Sequence, residues 1–187
     1  MSNNSPYLYH DQLSSDRIIT RWLTRDNIIA WAPFFDDEHS TRFLPTFVEG
    51  DLINRSTAFI ERQLNRYKEK SYGLQALFEK QNETLIGVCG LLLQTVEGKE
   101  EIEVGYHILP ARRGKGYAPE AARLFIDFAF SNHLADSVIS IINTENTRSQ
   151  SVAEKNGLYK DFIRETNQTK EFIYRMDRTQ WLKNQMA

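Results

Sequence analysis

The amino-acid sequence predicts an α+β fold, a three-layer α/β arrangement in which a mixed central sheet of about seven strands is flanked by about four helices. Short apolar and β-branched runs, which are typical of strands, alternate with longer segments in which apolar residues recur at the helical period. No repeat, proline-rich linker or long charged block interrupts this alternation. A chain of 187 residues has room for one substantial core, so we expect a single domain over residues 1–187.

The first predicted elements are a strand and two helices. Residues 17–23 carry β-branched and aromatic side chains that suit a strand. Asp26 follows as an N-cap for a helix that runs towards Pro33. Over residues 51–70 the apolar residues recur at helical spacing with charges between them, which predicts an amphipathic helix.

Three strands are predicted next. Residues 72–78 and 85–93 predict an antiparallel hairpin, because the polar residues 79–83 between them favour a turn. The second of these strands is almost entirely apolar, as expected of a strand in the middle of a sheet. Residues 102–109 predict a third strand, whose successive side chains face opposite sides of the sheet.

The last part of the chain continues the alternation. It predicts a helix over residues 116–131, a strand over 137–142, a helix over 147–156, and a closing hairpin with strands 159–165 and 170–176. Gly157 ends the second of these helices as a C-terminal cap. The hairpin turns around residues 166–169, which are rich in Thr and Asn.

Composition and charge exclude several classes of function. The formal net charge of -2 and the pI near 6.1 argue against a broad basic surface for nucleic acid. Cys89 is the only cysteine and the histidines lack metal-ligand spacing, so we expect neither a disulfide nor a metal site. The first 15 residues are polar, and nowhere do about 18 apolar residues follow one another. We therefore expect a cytoplasmic protein without a membrane segment.

The strongest chemical signal lies between the third central strand and the helix that follows it. The chain there is Arg112-Arg113-Gly114-Lys115-Gly116-Tyr117-Ala118-Pro119. The two glycines let the backbone turn tightly and approach a ligand, and the following helix offers unpaired N–H groups and a positive dipole end. Pro119 suits the first turn of that helix, and the basic side chains favour an anion. The segment therefore predicts a backbone cradle for a pyrophosphate.

Other interpretations of this loop fit its residues less well. A bare Gly-x-Gly with basic neighbours is commonly a solvated turn. A Walker A loop needs Ser or Thr after Gly-Lys, whereas Lys115 is followed by Gly116. A dinucleotide fingerprint requires a third glycine or alanine where this chain has Pro119. A protein that binds ATP or NAD is therefore a weaker interpretation than an anion cradle of another kind.

The loop resembles the coenzyme motif of the GNAT superfamily of N-acetyltransferases, Gln/Arg-x-x-Gly-x-Gly/Ala after the fourth strand. Gly114 and Gly116 fill the two glycine positions, while Ala111 departs from the expected Gln/Arg, which leaves Arg112 or Arg113 as its replacement. Residues 146–149 and 152–158, together with residues 18–23 and 101–106, are similar to the RimJ/RimL branch of the superfamily. The resemblance extends over residues 17–177, which we take as the core of the domain.

This resemblance implies a GNAT-type sheet and acetyl-CoA as cosubstrate, with no metal. It implies coenzyme contacts from Ile108, Leu109, Arg112, Arg113, Gly114, Lys115, Gly116, Tyr117, Ala118, Asn146 and Ser149. In this family a primary amine attacks the bound thioester directly, so the protein must hold two reactants together and manage two protons.

Glu103 is the expected general base. By strand alternation it shares one face of its strand with Glu101, Gly105 and His107, where it can enter a cleft and act through water. The alternative is a solvent-facing glutamate in the acidic stretch 97–103. For His107 a packed side chain is the preferred interpretation.

Ser149 is the expected proton donor to the coenzyme sulfur, and Asn146 shares its helical face and is placed to bond the pantetheine arm. The alternative is structural, with Asn146 capping the helix and Ser149 lying in its first turn. Many members of the superfamily carry a tyrosine acid further along this helix, but this chain has Ala153 there.

The acceptor is open at this point. The leading hypothesis is acetylation of a primary amine, either a protein N-terminus of the ribosomal-protein type or a small amine such as an antibiotic or polyamine. A non-catalytic acyl-CoA-binding sensor is the alternative from another class, and the chain is expected to be a monomer or a homodimer. Aromatic residues between 31 and 47 are expected to be mostly core, with a minority that line the acceptor pocket.

Overall fold

The computed structural model describes residues 8–44, 49–166 and 169–186. Its strands are β1 (Ile18–Arg21), β2 (Tyr72–Glu79), β3 (Thr84–Val96), β4 (Lys99–Ile108), β5 (Ser137–Asn143), β6 (Tyr159–Glu165) and β7 (Lys170–Asp177). Its α-helices are α1 (Ile28–Trp31), α2 (Glu38–Thr41), α3 (Leu52–Lys68), α4 (Tyr117–Ser131), α5 (Thr147–Lys155) and α6 (Arg178–Gln185). The predicted α+β class and the seven predicted strands are confirmed.

The structure adds two helices to the predicted four and lengthens the central hairpin. Helix α2 is a single short turn, and α6 lacks an apolar stripe apart from the buried Trp181, so neither gives a periodic signal in the sequence. Strands β3 and β4 extend until Val96 pairs with Lys99. Glu97 and Gly98 between them both have positive φ, which is the geometry of a tight two-residue hairpin turn. The predicted strands 85–93 and 102–109 were therefore too short on the side of this turn.

The seven strands form one sheet in the order β1-β2-β3-β4-β5-β7-β6. All neighbouring pairs are antiparallel except β4 and β5, which run parallel and share only the pairs Ile102↔Val138 and Glu103↔Ile139. Beyond Glu103 the two strands separate. The middle of the sheet therefore opens towards the carboxyl end of β4.

Both faces of the sheet are covered by helices. Helix α4 buries Phe125, Ile126 and Ala129 against one face. On the other face α3 and the turns around α1 bury an aromatic cluster that includes Trp31 and Phe34. The expected aromatic core is therefore present at these positions, whereas Phe47 lies outside the described residues, as does part of the turn at 166–169.

Ion pairs fasten the sheet at the end where β4 and β5 are still joined. Both nitrogens of the Arg175 fork contact the Glu101 carboxylate, at 3.0 and 3.1 Å, and Arg175 also bonds Ser137 Oγ at 2.6 Å and Asp161 Oδ2 at 2.7 Å. Arg175 and Glu101 are each only 15% exposed. A bidentate pair with little exposure fixes geometry strongly, so β4, β5, β6 and β7 are locked together at this end. Among the described residues no helix is long and apolar enough to cross a membrane.

Candidate active site

The glycine loop ends in a row of unpaired backbone donors. Gly114 and Gly116 have φ of 77° and 81°, a left-handed conformation that glycine adopts at little cost, and Gly116 is the N-cap of α4. Within the described part of the chain, the N–H groups of Gly114, Lys115, Gly116, Tyr117 and Ala118 donate to no acceptor. A Cβ placed on Gly114 would meet no atom within 4 Å, so the loop is open to an approaching ligand. This arrangement fits the oxygen atoms of a pyrophosphate.

The two arginines before the loop are engaged with the protein itself. Arg113 pairs with Asp37 at 2.7 Å, bonds Ser40, and donates from Nε to the Ile108 carbonyl at 3.2 Å. Arg112 lies 3.5 Å from Glu79. Their expected contacts with a coenzyme therefore remain predictions, and in this structure Arg113 fastens the β4–α4 turn to α2. Lys115 is exposed, and in the described ranges it forms no ion pair.

Glu120 and Arg17 brace the loop from behind. The Glu120 carboxylate accepts bonds from Ser15 Oγ at 2.8 Å and from Arg17 Nε at 2.8 Å, and the second branch of the same guanidinium donates to the Lys115 carbonyl at 2.9 Å. Burial opposes ionisation of Glu120, but the hydrogen bonds from Arg17 and Ser15 together lower its pKa. These bonds hold the Lys115 backbone in place.

The opening between β4 and β5 is bridged by side chains in place of ladder bonds. Ser140 Oγ donates to the Val104 carbonyl at 3.2 Å, and the Tyr106 hydroxyl donates to the Ser149 carbonyl at 2.9 Å. Burial raises the pKa of the Tyr106 hydroxyl, so it stays protonated and keeps this bond. Tyr106 therefore ties the first turn of α5 to β4 across the gap.

Glu103 lies where the two strands begin to separate. It is buried, with 9% exposure, so the alternative of a solvent-facing glutamate is wrong. Its carboxylate accepts bonds from Gln94 Nε2 at 2.6 Å and from the Ile141 N–H at 3.3 Å. Burial raises the pKa of Glu103 to about 6, and the hydrogen bonds from Gln94 and Ile141 offset part of that rise. Near neutral pH it can accept a proton.

The start of α5 has the arrangement that the sequence offered as the structural alternative, in which Asn146 caps the helix. Asn146 Oδ1 caps the helix by accepting from the Ser149 N–H at 3.1 Å, and Ser149 lies in the first turn. This cap occupies the amide oxygen of Asn146, while its amide nitrogen has no hydrogen-bond partner in the part of the chain that the structure describes. The Ser149 hydroxyl lies beside the Tyr106 hydroxyl, and this contact offsets part of the effect of burial on the pKa of Tyr106.

His107 shares the sheet face of Glu103 but is a packed side chain. Its ring lies edge-on to Phe34 and Phe59, at centroid distances of 5.4 and 6.0 Å. Burial, together with the positive charge of Arg113, lowers the pKa of His107 to about 4. It is therefore neutral at pH 7, as the interpretation of a packed histidine requires.

Gln94, Tyr106 and Ser140 were not found from the sequence. Gln94 contacts Glu103 only because of the β3–β4 register, which pairs Gln94 with Glu101 and leaves Glu103 on the diagonal. Tyr106 faces the opposite side of β4 from Glu103 and packs its ring against the core, and the sequence gives no sign that its hydroxyl reaches α5. Among the described residues no group of three or more His, Cys, Asp and Glu side chains is placed to hold a metal ion.

The GNAT acetyltransferase domain is the family whose sequence profile matches this chain, over residues 17–159. That match covers well over half of the chain, so the protein belongs to the GNAT acetyltransferase family. Enzymes of this family use acetyl-CoA, which agrees with the free N–H groups at the start of α4.

Two curated relatives come from Bacillus subtilis (strain 168). The chain is 34% identical to the uncharacterized protein YkkB over 106 residues, which are 55% of this chain and 62% of YkkB. It is 32% identical to the probable N-acetyltransferase YjcK over 121 residues, 64% of each chain. The chain therefore spans a little less than two thirds of the length of these relatives.

Solved structures share the fold at low identity. RimL, a ribosomal L7/L12 alpha-N-protein acetyltransferase solved in complex with coenzyme A, has a TM-score of 0.71 at 12% identity, and the match covers 90% of this chain and 98% of RimL. The microcin C7 self-immunity acetyltransferase MccE, solved with acetyl-CoA and AMP, has a TM-score of 0.71 at 16% identity and covers 89% and 98%. These likenesses show that the fold is of the GNAT type.

Replacing Gln94 with Leu is expected to raise the pKa of Glu103 above about 6, because the carboxylate loses the donor that favours its charged form. The measurement is an NMR titration of the Glu103 carboxyl carbon. Thr95→Val, at the next and exposed position of the same strand, is the control and should leave the pKa unchanged. An unchanged pKa in Gln94→Leu would show that the Gln94 bond does not stabilise the charge.

Replacing Gly114 with Ala should weaken coenzyme A binding at least tenfold, because a Cβ would project into the open side of the cradle. Gly98→Ala is a matched control, since Gly98 has the same φ of 77° and the same absence of atoms within 4 Å but lies in the β3–β4 turn. Each variant should lose about 1 kcal/mol of stability from left-handed strain. Calorimetric titration with coenzyme A measures the difference, and equal affinity in both variants would contradict a cradle at Gly114.

Proposed function

We propose that this protein is an N-acetyltransferase of the RimJ/RimL-like branch, which transfers the acetyl group of acetyl-CoA to a primary amine, the α-amine of a protein N-terminus. The observation that carries the proposal is the position of a buried carboxylate, Glu103, at the mouth of the β4–β5 opening. The same strand leads directly into the phosphate cradle at the start of α4. Base and cradle are therefore held on one rigid element.

In this proposal the coenzyme lies in the opening of the sheet. The free N–H groups of residues 114–118 bind the pyrophosphate, and Lys115 adds a positive charge. At the end of β4 the Ile108 carbonyl accepts from Arg113 and the Leu109 N–H donates to Ile86, so in this proposal Ile108 and Leu109 meet the pantetheine arm through the Ile108 N–H and their side chains. When bound, acetyl-CoA supplies the activated acetyl group as a thioester.

Glu103 takes a proton from the attacking amine, directly or through one water molecule. An α-amine has a pKa near 7.7 to 8.0, about 2 units above that of Glu103, so the transfer costs roughly 3 kcal/mol. A lysine side chain near 10.4 lies about 4 units above it, which costs roughly 6 kcal/mol. The lower pKa of an α-amine therefore makes it an easier acceptor to deprotonate than a lysine or a polyamine.

Ser149 gives a proton to the departing sulfur. A thiol has a pKa near 8.5, so the thiolate needs only a weak acid. Tyr106 holds the Ser149 carbonyl, and Asn146 caps the first turn of α5 and bonds the pantetheine arm through its amide N–H₂. These contacts position the Ser149 hydroxyl, which lies beside the Tyr106 hydroxyl.

The comparisons support the acceptor class by analogy only. RimL acts on the α-amine of a ribosomal protein, and MccE is a self-immunity enzyme against microcin C7. The same fold thus accepts proteins and small molecules, and the choice of a protein N-terminus for this chain depends on the lower pKa of an α-amine. An acceptor of the ribosomal-protein type places the enzyme in the cytoplasm.

A panel of amines tests this function through thiol release from acetyl-CoA. The panel contains a peptide with a free N-terminus, the same peptide blocked at its N-terminus with one internal lysine, spermidine, and an aminoglycoside. We expect the highest kcat/KM with the free N-terminus. Faster turnover of spermidine or the aminoglycoside would indicate a small-molecule enzyme, and coenzyme binding without turnover of any amine would indicate an acyl-CoA sensor.

Replacing Glu103 with Gln should lower kcat about 100-fold while coenzyme A affinity stays unchanged. Burial raises the folded-state pKa of Glu103 from 4.5 to about 6, so ionisation costs stability as the pH rises through this interval. The variant avoids this cost and should be more stable at pH 8, by up to roughly 2 kcal/mol. Steady-state kinetics and urea unfolding provide both values, and Glu100→Gln on the exposed part of β4 is the control. Loss of stability with unchanged kcat would identify Glu103 as a structural residue.

A further inference from the structure

Arg66 lies on the side of α3 that packs against the sheet. Its neighbours on this side, Gln63 and Tyr67, both bond to the backbone of Leu74, Gln63 by accepting from the N–H at 3.0 Å and Tyr67 by donating to the carbonyl. The Arg66 Cβ lies 3.5 Å from the position that a Cβ on Gly73 would occupy. The start of the Arg66 side chain is therefore held against β2.

The guanidinium of Arg66 is half-buried without a carboxylate partner. Among other partly buried arginines, Arg113, Arg164 and Arg175 form ion pairs of 3.0 Å or less, and Arg123 and Arg178 donate to Asn156 and to the Ala135 carbonyl. Arg66 has no carboxylate oxygen within 4.0 Å among residues 8–44, 49–166 and 169–186. A partly buried charge without a partner is costly, so this position is suited to an anion that comes from outside the chain.

The charge of Arg66 acts on the same space as Glu103. Tyr72, Leu92 and Glu103 form one row across β2, β3 and β4, and Arg66 lies over the start of β2 beside this row. Arg66 helps to lower the pKa of Glu103, while burial and the neighbouring Arg62 lower that of Arg66. Both oxygens of Glu103 are bonded elsewhere, to Gln94 and Ile141. The cation and the base therefore lie on the same side of the sheet without direct contact.

The helix dipole does not account for this placement. A cation in the last turn of α3 stabilises the helix by a few tenths of a kcal/mol, and the exposed Lys68 provides one in the same turn. Burial makes the charge of Arg66 more costly than that of the exposed Lys68. Arg62, one turn earlier, also repels Arg66, and this repulsion is about as large as the stabilisation from the dipole. The burial of Arg66 calls for a different explanation.

We propose that Arg66 determines acceptor specificity by binding a carboxylate that the acceptor carries a few bonds from its amine. An arginine fork matches a carboxylate with two parallel hydrogen bonds, and the partner amine then lies within reach of Glu103. The proposal rests on the proposed acetyl transfer. Two sources present this chemistry, a free amino acid and a protein N-terminus followed by an acidic residue.

The experiment measures binding and turnover separately, with four probes in two matched pairs. The peptide amides Ala-Asp-Ala and Ala-Asn-Ala differ in one charge, and alanine and alaninamide do the same for a free amino acid. Calorimetry with the chain saturated by coenzyme A gives binding, and thiol release from acetyl-CoA gives kcat/KM. The variants are Arg66→Gln and the control Lys68→Gln, which removes the same charge from the exposed side of the same turn.

We expect wild type and Lys68→Gln to bind the charged member of one pair at least tenfold more tightly, and Arg66→Gln to lose that preference. The pair that shows the preference identifies the source of the carboxylate. Equal binding within both pairs in the wild type, a preference that survives in Arg66→Gln, or no binding of any probe would overturn the proposal. If acetyl transfer is absent but the binding preference depends on Arg66, the proposed function fails and the carboxylate site stands.

Discussion

Strands β4 and β5 are joined by two residue pairs and then separate, and the rest of the site depends on how this short ladder is held. A sheet that opens leaves backbone groups without ladder bonds, which is costly unless other groups satisfy them. Arg175 and Glu101 lock the closed end, and the side chains of Ser140 and Glu103 bond to the backbone of the opposite strand where the separation begins. The opening is therefore a stable feature of the fold. The opening lies beside the free N–H groups at the start of α4. A long ligand with a pyrophosphate can therefore extend through the opening while its phosphates bind these N–H groups.

The burial of Glu103 shows how the same interactions serve structure and chemistry. A buried carboxylate without partners would be too costly to keep charged, and its pKa would rise far above neutrality. Gln94 and the Ile141 N–H limit that rise, and the resulting pKa of about 6 keeps the group charged at pH 7 yet more basic than an exposed glutamate. The Ile141 N–H belongs to a strand that has lost its parallel neighbour. The separation of the strands thus creates the donor that stabilises the base.

Sequence reasoning succeeded where the signal is local and failed where it depends on register. The glycines at 114 and 116 and the cap at Asn146 are encoded within a few residues, and strand alternation placed Glu103 on the face it shares with His107. Gln94 and Tyr106 are brought to the opening by pairing across strands, and packing of α3 brings Arg66 over the start of β2. No short segment encodes these placements. The β3–β4 turn was not predicted either, because residues 94–101 are polar and lack the apolar pattern by which the two strands were identified.

The structure also changes which groups neutralise a bound pyrophosphate. From the sequence, Arg112 and Arg113 were the natural partners, but Arg113 already bonds Asp37, Ser40 and the Ile108 carbonyl, and Arg112 faces Glu79. If Arg113 turned to a phosphate, Asp37 would lose its ion pair and α2 would lose its link to the end of β4. One contact with a phosphate would not offset the loss of these bonds. The attraction for phosphate then comes from Lys115 and five aligned N–H groups, whose positions are fixed by Arg17 and Glu120. Backbone donors held in advance lose little entropy when a ligand binds, which favours this solution over flexible basic side chains.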